Sequence, residues 1–275
     1  LGAMIASILT FVCVFFLFFL DHWIWGKYGI ALSVVFPIVS ILVVYTVNGI
    51  YGYLFEKRRR REMKAVFGQY VPPECIDSML KKRGDFGLDG ETKDLSVLFA
   101  DIRGFTTLSE GMSATDLKSL LNAYLSPMTA VIFEKKGTID KYVGDMIVAF
   151  WGAPLSDPQH AEHAVSAALE MQRKLEELDE LFKKKNWPEI HIGVGVNTGS
   201  MNVGDMGSKF RKAYTVLGDA VNLGSRLEAL TKSYHVKILV GESTCKETEP
   251  LFLYRPIDRV KVKGKLTNTN IYEPI

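Results

Sequence analysis

The chain has 275 residues, with 33 Lys and Arg against 31 Asp and Glu, for a net charge of +2. That length holds one good-sized domain plus a further segment, and the even charge balance excludes the global basic field of a nucleic-acid binder. Cys13, Cys75 and Cys245 form no CxxC and no disulfide framework, which suits a reducing cytosolic setting for the main domain.

Residues 3–20 and 28–55 carry no charged side chain, and each run is near or above the ~20 residues that cross a bilayer. Pro37 is tolerated in a membrane helix. The link DHWIWGK is short, and Trp23, Trp25 and Tyr28 suit interface anchors. Residues 1–56 therefore read as a transmembrane helical hairpin. A signal peptide is disfavoured, because there is no basic start and a second span follows. The cluster EKRRRRE (56–62) stays on the cytoplasmic side. Its simplest role is a stop-transfer flank, the alternative being specific lipid binding. Either way residues 56–275 lie in the cytoplasm of a multi-pass protein of the inner or plasma membrane. The spans hold no ionisable residue to mark an ion path, which disfavours a transporter or channel. The first residue, Leu1, is not methionine, so an internal piece of a longer protein is expected.

Residues 57–91 read as a linker. Within it, the connector 62–83 is interrupted by Pro72-Pro73 and resumes as a helix at ECIDSML, serving as spacer or transducer. GDFGLDGETKD (84–94) reads as a loop. LSVLFADI (95–102) is a β-type run. Residues 113–136 have helical spacing, with Ser113 as N-cap and Asp116 behind it. TIDKYV and MIVAFWG form a hairpin turning at Gly144-Asp145. Residues 157–185 form a long amphipathic helix, and IHIGVGVNTG a strand. YTVLGDAVNLGSRLEALTKS starts extended and turns helical near Ala220, and KILVG and the tail 252–274 supply further strands. The order β-α-β-β-α-β predicts an α+β domain, 92–275, with an antiparallel-centred sheet and helices packed on one side.

Asp145 is the one acidic residue inside the otherwise apolar run VGDMIVAFWG. A carboxylate is costly to bury unless it is paired or binds metal. Alone, a solvated turn aspartate is the simpler reading. Asp101 ends the apolar strand in FADIRGFT. A β-α-β-β arrangement can place the two side by side as a hard-oxygen site for Mg²⁺ or Mn²⁺, with the Ile102 carbonyl adding a ligand; the alternative is two unrelated turn aspartates. His160 and His163 share a helix without a third ligand, which disfavours zinc. The turn formed by Arg103, Gly104, Phe105 and Thr106 offers backbone N–H groups to phosphate, though no GxxxxGK[ST] is present. Asn222 and Arg226 share a helix face and suit a phosphoryl transition state, or are an exposed residue and a cap. Lys261, Lys263 and Lys265 alternate along one strand face, towards phosphates or as a solvated edge.

VLFADIRGFT, DKYVGDMIVAFWG and YTVLGDAVNLGSRLE, in that order and spacing, resemble the class III nucleotide cyclase catalytic domain across residues 92–275. The resemblance implies a ferredoxin-like βαββαβ fold. It makes Asp101 and Asp145, with the Ile102 carbonyl, holders of two divalent ions, Mg²⁺ or Mn²⁺. Lys141 and Thr215 become the purine-reading pair, Asn222 and Arg226 the transition-state pair, and Lys263 the phosphate-binding lysine. The family pairs two domains head to tail. One chain supplies a site's metal ligands and the other its remaining residues, so a chain carrying all of them implies a homodimer. Lys141 donates to adenine N1 and Thr215 accepts from the 6-amino group, which points to ATP. Thr215 departs from the aspartate of many members, although a threonine subgroup exists. A hydroxyl can also donate, so discrimination against GTP is expected to be looser. The expected function is a membrane-anchored adenylate cyclase making 3′,5′-cyclic AMP and pyrophosphate. The alternatives are a guanylate cyclase, which Lys141 disfavours, and a silent ATP-binding regulatory dimer module. VGDM is not the GG[DE]EF-type turn of diguanylate cyclases. The hairpin and connector resemble the last spans and linker of receptor-type cyclases, some with an upstream sensor domain.

Overall fold

Two long apolar helices open the chain in the computed structural model, which describes residues 2–29, 35–68, 70–72, 76–77, 90–208, 212–260 and 268–275. They are α1 (Gly2–Tyr28) and α2 (Val35–Phe67). The chain divides into two units, Leu1–Ala65 and Val66–Ile275. In the first, Thr10–Tyr28 and Pro37–Phe55 have mean hydropathies of 1.3 and 1.7 and are long and apolar enough to cross a membrane. Phe11, Phe15, Val43 and Val47 are exposed.

The expected link Asp21–Lys27 is helical, the last two turns of α1. There the Lys27 ammonium lies 5.1 Å from the Trp23 ring centre and 5.4 Å from that of Tyr28. Pro37 falls in the first turn of α2, where its missing N–H breaks no helical bond. The helix then runs on through Arg58–Arg61 to Phe67, so the first part of the expected linker continues the second apolar helix. Cys75 and most of the second connector helix lie outside the described residues.

The second unit is built on β1 (Glu91–Ile102), α3 (Phe105–Glu110), α4 (Ala114–Glu134), β2 (Thr138–Val143), β3 (Met146–Trp151), α5 (His160–Lys184) and β4 (Ile192–Gly207). These are followed by β5 (Lys212–Leu217), α6 (Asp219–Tyr234), β6 (Ile238–Gly241), α7 (Glu242–Thr248), β7 (Tyr254–Val260) and β8 (Thr269–Pro274). The sheet order is β2-β3-β1-β4-β6-β8-β7, with β5 paired to β4. Only β4 and β6 run parallel among these pairs. The β2-β3-β1-β4 half is the expected ferredoxin-like arrangement.

Two strands exceed expectation. β1 starts at Glu91 because Glu91–Asp94 pair with Ser200–Val203, so that part of the expected 84–94 loop is strand; 84–89 lies outside the described residues. β4 continues past Gly199, its distal part pairing with β5 from Asn202 to Gly207. Ser113 caps α4 as expected, its Oγ accepting from the Asp116 N–H at 3.1 Å.

The expected one-sided helix packing is corrected. Leu98, Ala100 and Ile102 of β1 pack with Leu120, Tyr124 and Met128 of α4 and with Ala164, Ala168 and Met171 of α5. The opposite face, Val97 and Phe99, meets α6 at Gly224. Alternation in IGVGV puts Val194 and Val196 into the first core and leaves Gly193 and Gly195 bare beneath α6. A Cβ on Gly195 would lie 2.2 Å from the Glu228 N atom and 2.5 Å from the Gly224 carbonyl oxygen. The absent side chain is what admits the helix.

The segment just after Ala65 is seated on this unit. Phe67 is fully buried and meets Tyr214 edge-on, ring centroids 5.0 Å apart at 76°. The Ile139 N–H donates to the Tyr70 carbonyl at 3.0 Å, and Val71 and Ile76 are buried.

Candidate active site

The end of β1 and the β2-β3 turn meet. Val143 pairs with Met146, leaving Gly144 and Asp145 as a two-residue turn. Gly144 has φ +66°, a conformation that side chains disfavour and glycine adopts freely. The turn aims Asp145 at β1, where its Oδ2 accepts the Ile102 N–H at 3.1 Å. Asp101 faces the same carboxylate. Burial first, then the Asp145 charge and a hydrogen bond to Asp145, push the Asp101 carboxyl up to about 7; Glu228 adds to this and the Ile102 N–H opposes it. The Tyr124 hydroxyl is buried without a hydrogen-bond partner among the described residues. Burial, with both aspartates adding, pushes that phenol up.

Glu228 is pushed up by burial, against the pull of Arg103. The Arg103 guanidinium donates to the Val236 carbonyl at 2.9 Å. In the RGFT turn the Arg103 N–H is already engaged, donating to the His191 carbonyl at 2.8 Å, so it is not free for phosphate. Gly104, with φ +68°, starts α3; Phe105 leans on the core and Thr106 is exposed.

A second cluster lies on β2 and β5. Lys141 Nζ is 3.3 Å from Thr215 Oγ1, joining residues 74 apart in sequence. The Thr215 hydroxyl donates to Asp140 Oδ2 at 2.9 Å, and Lys141 Nζ is 3.3 Å from the same oxygen. Asp140 was not singled out in the sequence. The only available signal was an acidic residue between Ile139 and Lys141, and it does not show which way the side chain points.

Asn222 lies in the first turn of α6, its N–H donating to the Gly218 carbonyl at 3.2 Å, and Arg226 stands one turn further on. Lys263, with Lys261 and Lys265, lies outside the described residues. His160 is bound to Ser96 Oγ at 2.9 Å and His163 to Asp157 at 2.6 Å. The described residues hold no cluster of three or more His, Cys, Asp and Glu side chains suited to a metal. The structure thus brings together Asp101 with Asp145 and Lys141 with Thr215, and carries Asn222 and Arg226 on one helix.

The family described as the Adenylate and Guanylate cyclase catalytic domain matches residues 89–272. Adenylate cyclase 1 of Rhizobium meliloti is 33% identical over 217 residues, 79% of this chain and 33% of the relative. The chain therefore spans about a third of that relative's length. The crystal structure of the adenylyl cyclase CyaB from P. aeruginosa superposes with a TM-score of 0.64 at 35% identity, over 68% of this chain and 95% of CyaB. That of the guanylyl cyclase Cya2 gives 0.61 at 31% identity, over 67% and 93%. With the fold, the three motifs and the family match in agreement, the chain belongs to the class III adenylate and guanylate cyclases.

Proposed function

We propose that the chain is a membrane-anchored adenylate cyclase that converts ATP to 3′,5′-cyclic AMP and pyrophosphate at a homodimer interface. Support for an anchor comes from the two exposed apolar helices, and for a cytoplasmic catalytic domain from the basic run that follows them. The observation that carries the reading is the pairing of Lys141 with Thr215 at 3.3 Å, a cationic donor beside a hydroxyl. That edge complements adenine, with its N1 acceptor and 6-amino donor, better than guanine.

Asp101 and Asp145 fit Mg²⁺ or Mn²⁺. Their donors are hard oxygens, and a cation would offset both the burial and the Asp145 charge that raise Asp101. Two divalent ions held there would lower the pKa of the ribose 3′-hydroxyl and neutralise charge on the leaving pyrophosphate. Lys141 and Thr215 orient the adenine. Asn222 orients the ribose, and Arg226 stabilises charge on the α-phosphoryl group as the 3′-oxygen attacks. Gly104, Phe105, Thr106 and Lys263 complete the triphosphate site. The test is product formation from ATP and from GTP with Mg²⁺ or Mn²⁺, using the intact chain and Asp145→Ala. Cyclic AMP from ATP, lost in the variant, is expected. Cyclic GMP as the main product, or no product, overturns the reading.

A further inference from the structure

Asp140 is the residue that the β2-β3 hairpin leaves over. Ile139 pairs with Ala149 and Lys141 with Val148, so two neighbouring pairs on β3 enclose one extra residue on β2. Such a bulge re-aims side chains. Here it turns Asp140 inward, 3% exposed, while the neighbouring Lys141 side chain is 50% exposed. A buried carboxylate is costly unless it is engaged. Asp140 Oδ1 has no partner among the described residues, and the Thr215 and Lys141 contacts of the carboxylate both converge on Oδ2. Thr215 and Lys141 are the two proposed purine readers.

We propose that Asp140 is a positioning residue for purine choice: it takes the Thr215 proton, leaving that hydroxyl only able to accept from the nucleotide, and so selects a 6-aminopurine over a 6-oxopurine. This rests on Lys141 and Thr215 being the purine-reading pair.

The hydrogen-bond count closes. A threonine hydroxyl has one proton and two lone pairs. The proton goes to Asp140 Oδ2 at 2.9 Å. One lone pair faces Lys141 Nζ at 3.3 Å, a group that can only donate. The remaining lone pair has no proton to offer, and the 6-amino group of adenine supplies one. Of the three Lys141 N–H bonds, one reaches Asp140, one reaches Thr215, and the third is left for adenine N1. Guanine reverses both positions: its O6 would meet a lone pair, and its N1–H would meet an ammonium N–H. Without Asp140 the Thr215 proton is free to rotate towards O6. Burial pushes the Asp140 carboxyl up, and the Lys141 charge and the two hydrogen bonds oppose that shift.

The test compares kcat/KM for ATP, GTP and ITP in the intact 275-residue chain with Asp140→Ala, Asp140→Asn, Thr215→Val and the double variant. ITP presents the 6-oxo edge without the 2-amino group. In Asp140→Ala the ATP-to-GTP and ATP-to-ITP ratios fall together by about tenfold or more, the size of one hydrogen bond changing sign, mostly through KM. Asp140→Asn, whose amide oxygen still accepts from Thr215, keeps most of the preference. In a Thr215→Val background, removing Asp140 moves the ratios no further. If Asp140→Ala does not accumulate as folded protein, Asp140→Ser replaces it, with a smaller fall in the same direction. Unchanged ratios with a uniform loss of kcat, or full additivity with Thr215→Val, overturn the inference while leaving the cyclase reading intact. A wild-type chain that makes no cyclic nucleotide overturns the cyclase reading, and this inference with it.

Discussion

Asp145 Oδ2 is latched to the Ile102 N–H at 3.1 Å, tying the hairpin tip to the end of β1. The latch needs an acceptor and not a charge, so Asp145→Asn and Asp145→Ala should separate two roles. The asparagine keeps the latch and is expected to change stability by less than about 1 kcal/mol, while cutting cyclic-nucleotide formation by about 100-fold or more. The alanine loses the same activity and also lowers the thermal midpoint. Melting curves and turnover on both variants check this.

Asp101 sets a pH dependence. Its carboxyl is near 7 in the folded domain against an ordinary 3.8, so between those values the folded state holds a proton that the unfolded state has released. This group's contribution to stability is therefore present at low pH and is lost as pH rises through about 7. At the proposed metal site, cation binding would require the ionised form and so compete with the same proton. The rise in thermal midpoint on adding Mg²⁺ or Mn²⁺ should be small near about pH 5.5 and full by about pH 8.5. Asp101→Asn should flatten that dependence.

Gly195→Ala should loosen α6. The added methyl would meet backbone atoms of Glu228 and Gly224, which cannot swing aside as a side-chain tip can. A loss of about 1–3 kcal/mol or more is expected by thermal unfolding, with activity falling as Asn222 and Arg226 move with the helix. Gly26→Ala in α1, where nothing lies within 4 Å, is the matched control and should leave the domain's melting unchanged.

Phe67→Ala removes a fully buried ring from beneath Tyr214. The expected cost is about 3–5 kcal/mol. Because Tyr214 is adjacent to Thr215, the KM for ATP should rise as well, as steady-state kinetics on the folded fraction will show.

The elements most legible in the sequence were bounded apolar runs with a clear period: the core of β1, the hairpin with its Gly144-Asp145 turn, and the long helix His160–Lys184. The approach of Asp101 to Asp145 was legible too, because strand order places one strand end beside one hairpin tip. The far half of β4 was not, since SMNVGDMG has the composition of a loop and is held extended by pairing with Glu91–Asp94 and with β5. The second helical face was missed because Gly193 and Gly195 register locally as weak strand residues, and only the assembled sheet shows the helix they admit. Asp140 was missed for a related reason. A bulge breaks the two-residue alternation from which side-chain direction is inferred.

Lys141 and Asp145 stand four residues apart on a single hairpin. In the proposed homodimer, Asp145 serves one site and Lys141 the other. Each hairpin is then a shared beam under both reaction centres. A single substitution in this ribbon would then touch a metal ligand of one centre and a base reader of the other, so damage to one hairpin is divided between both.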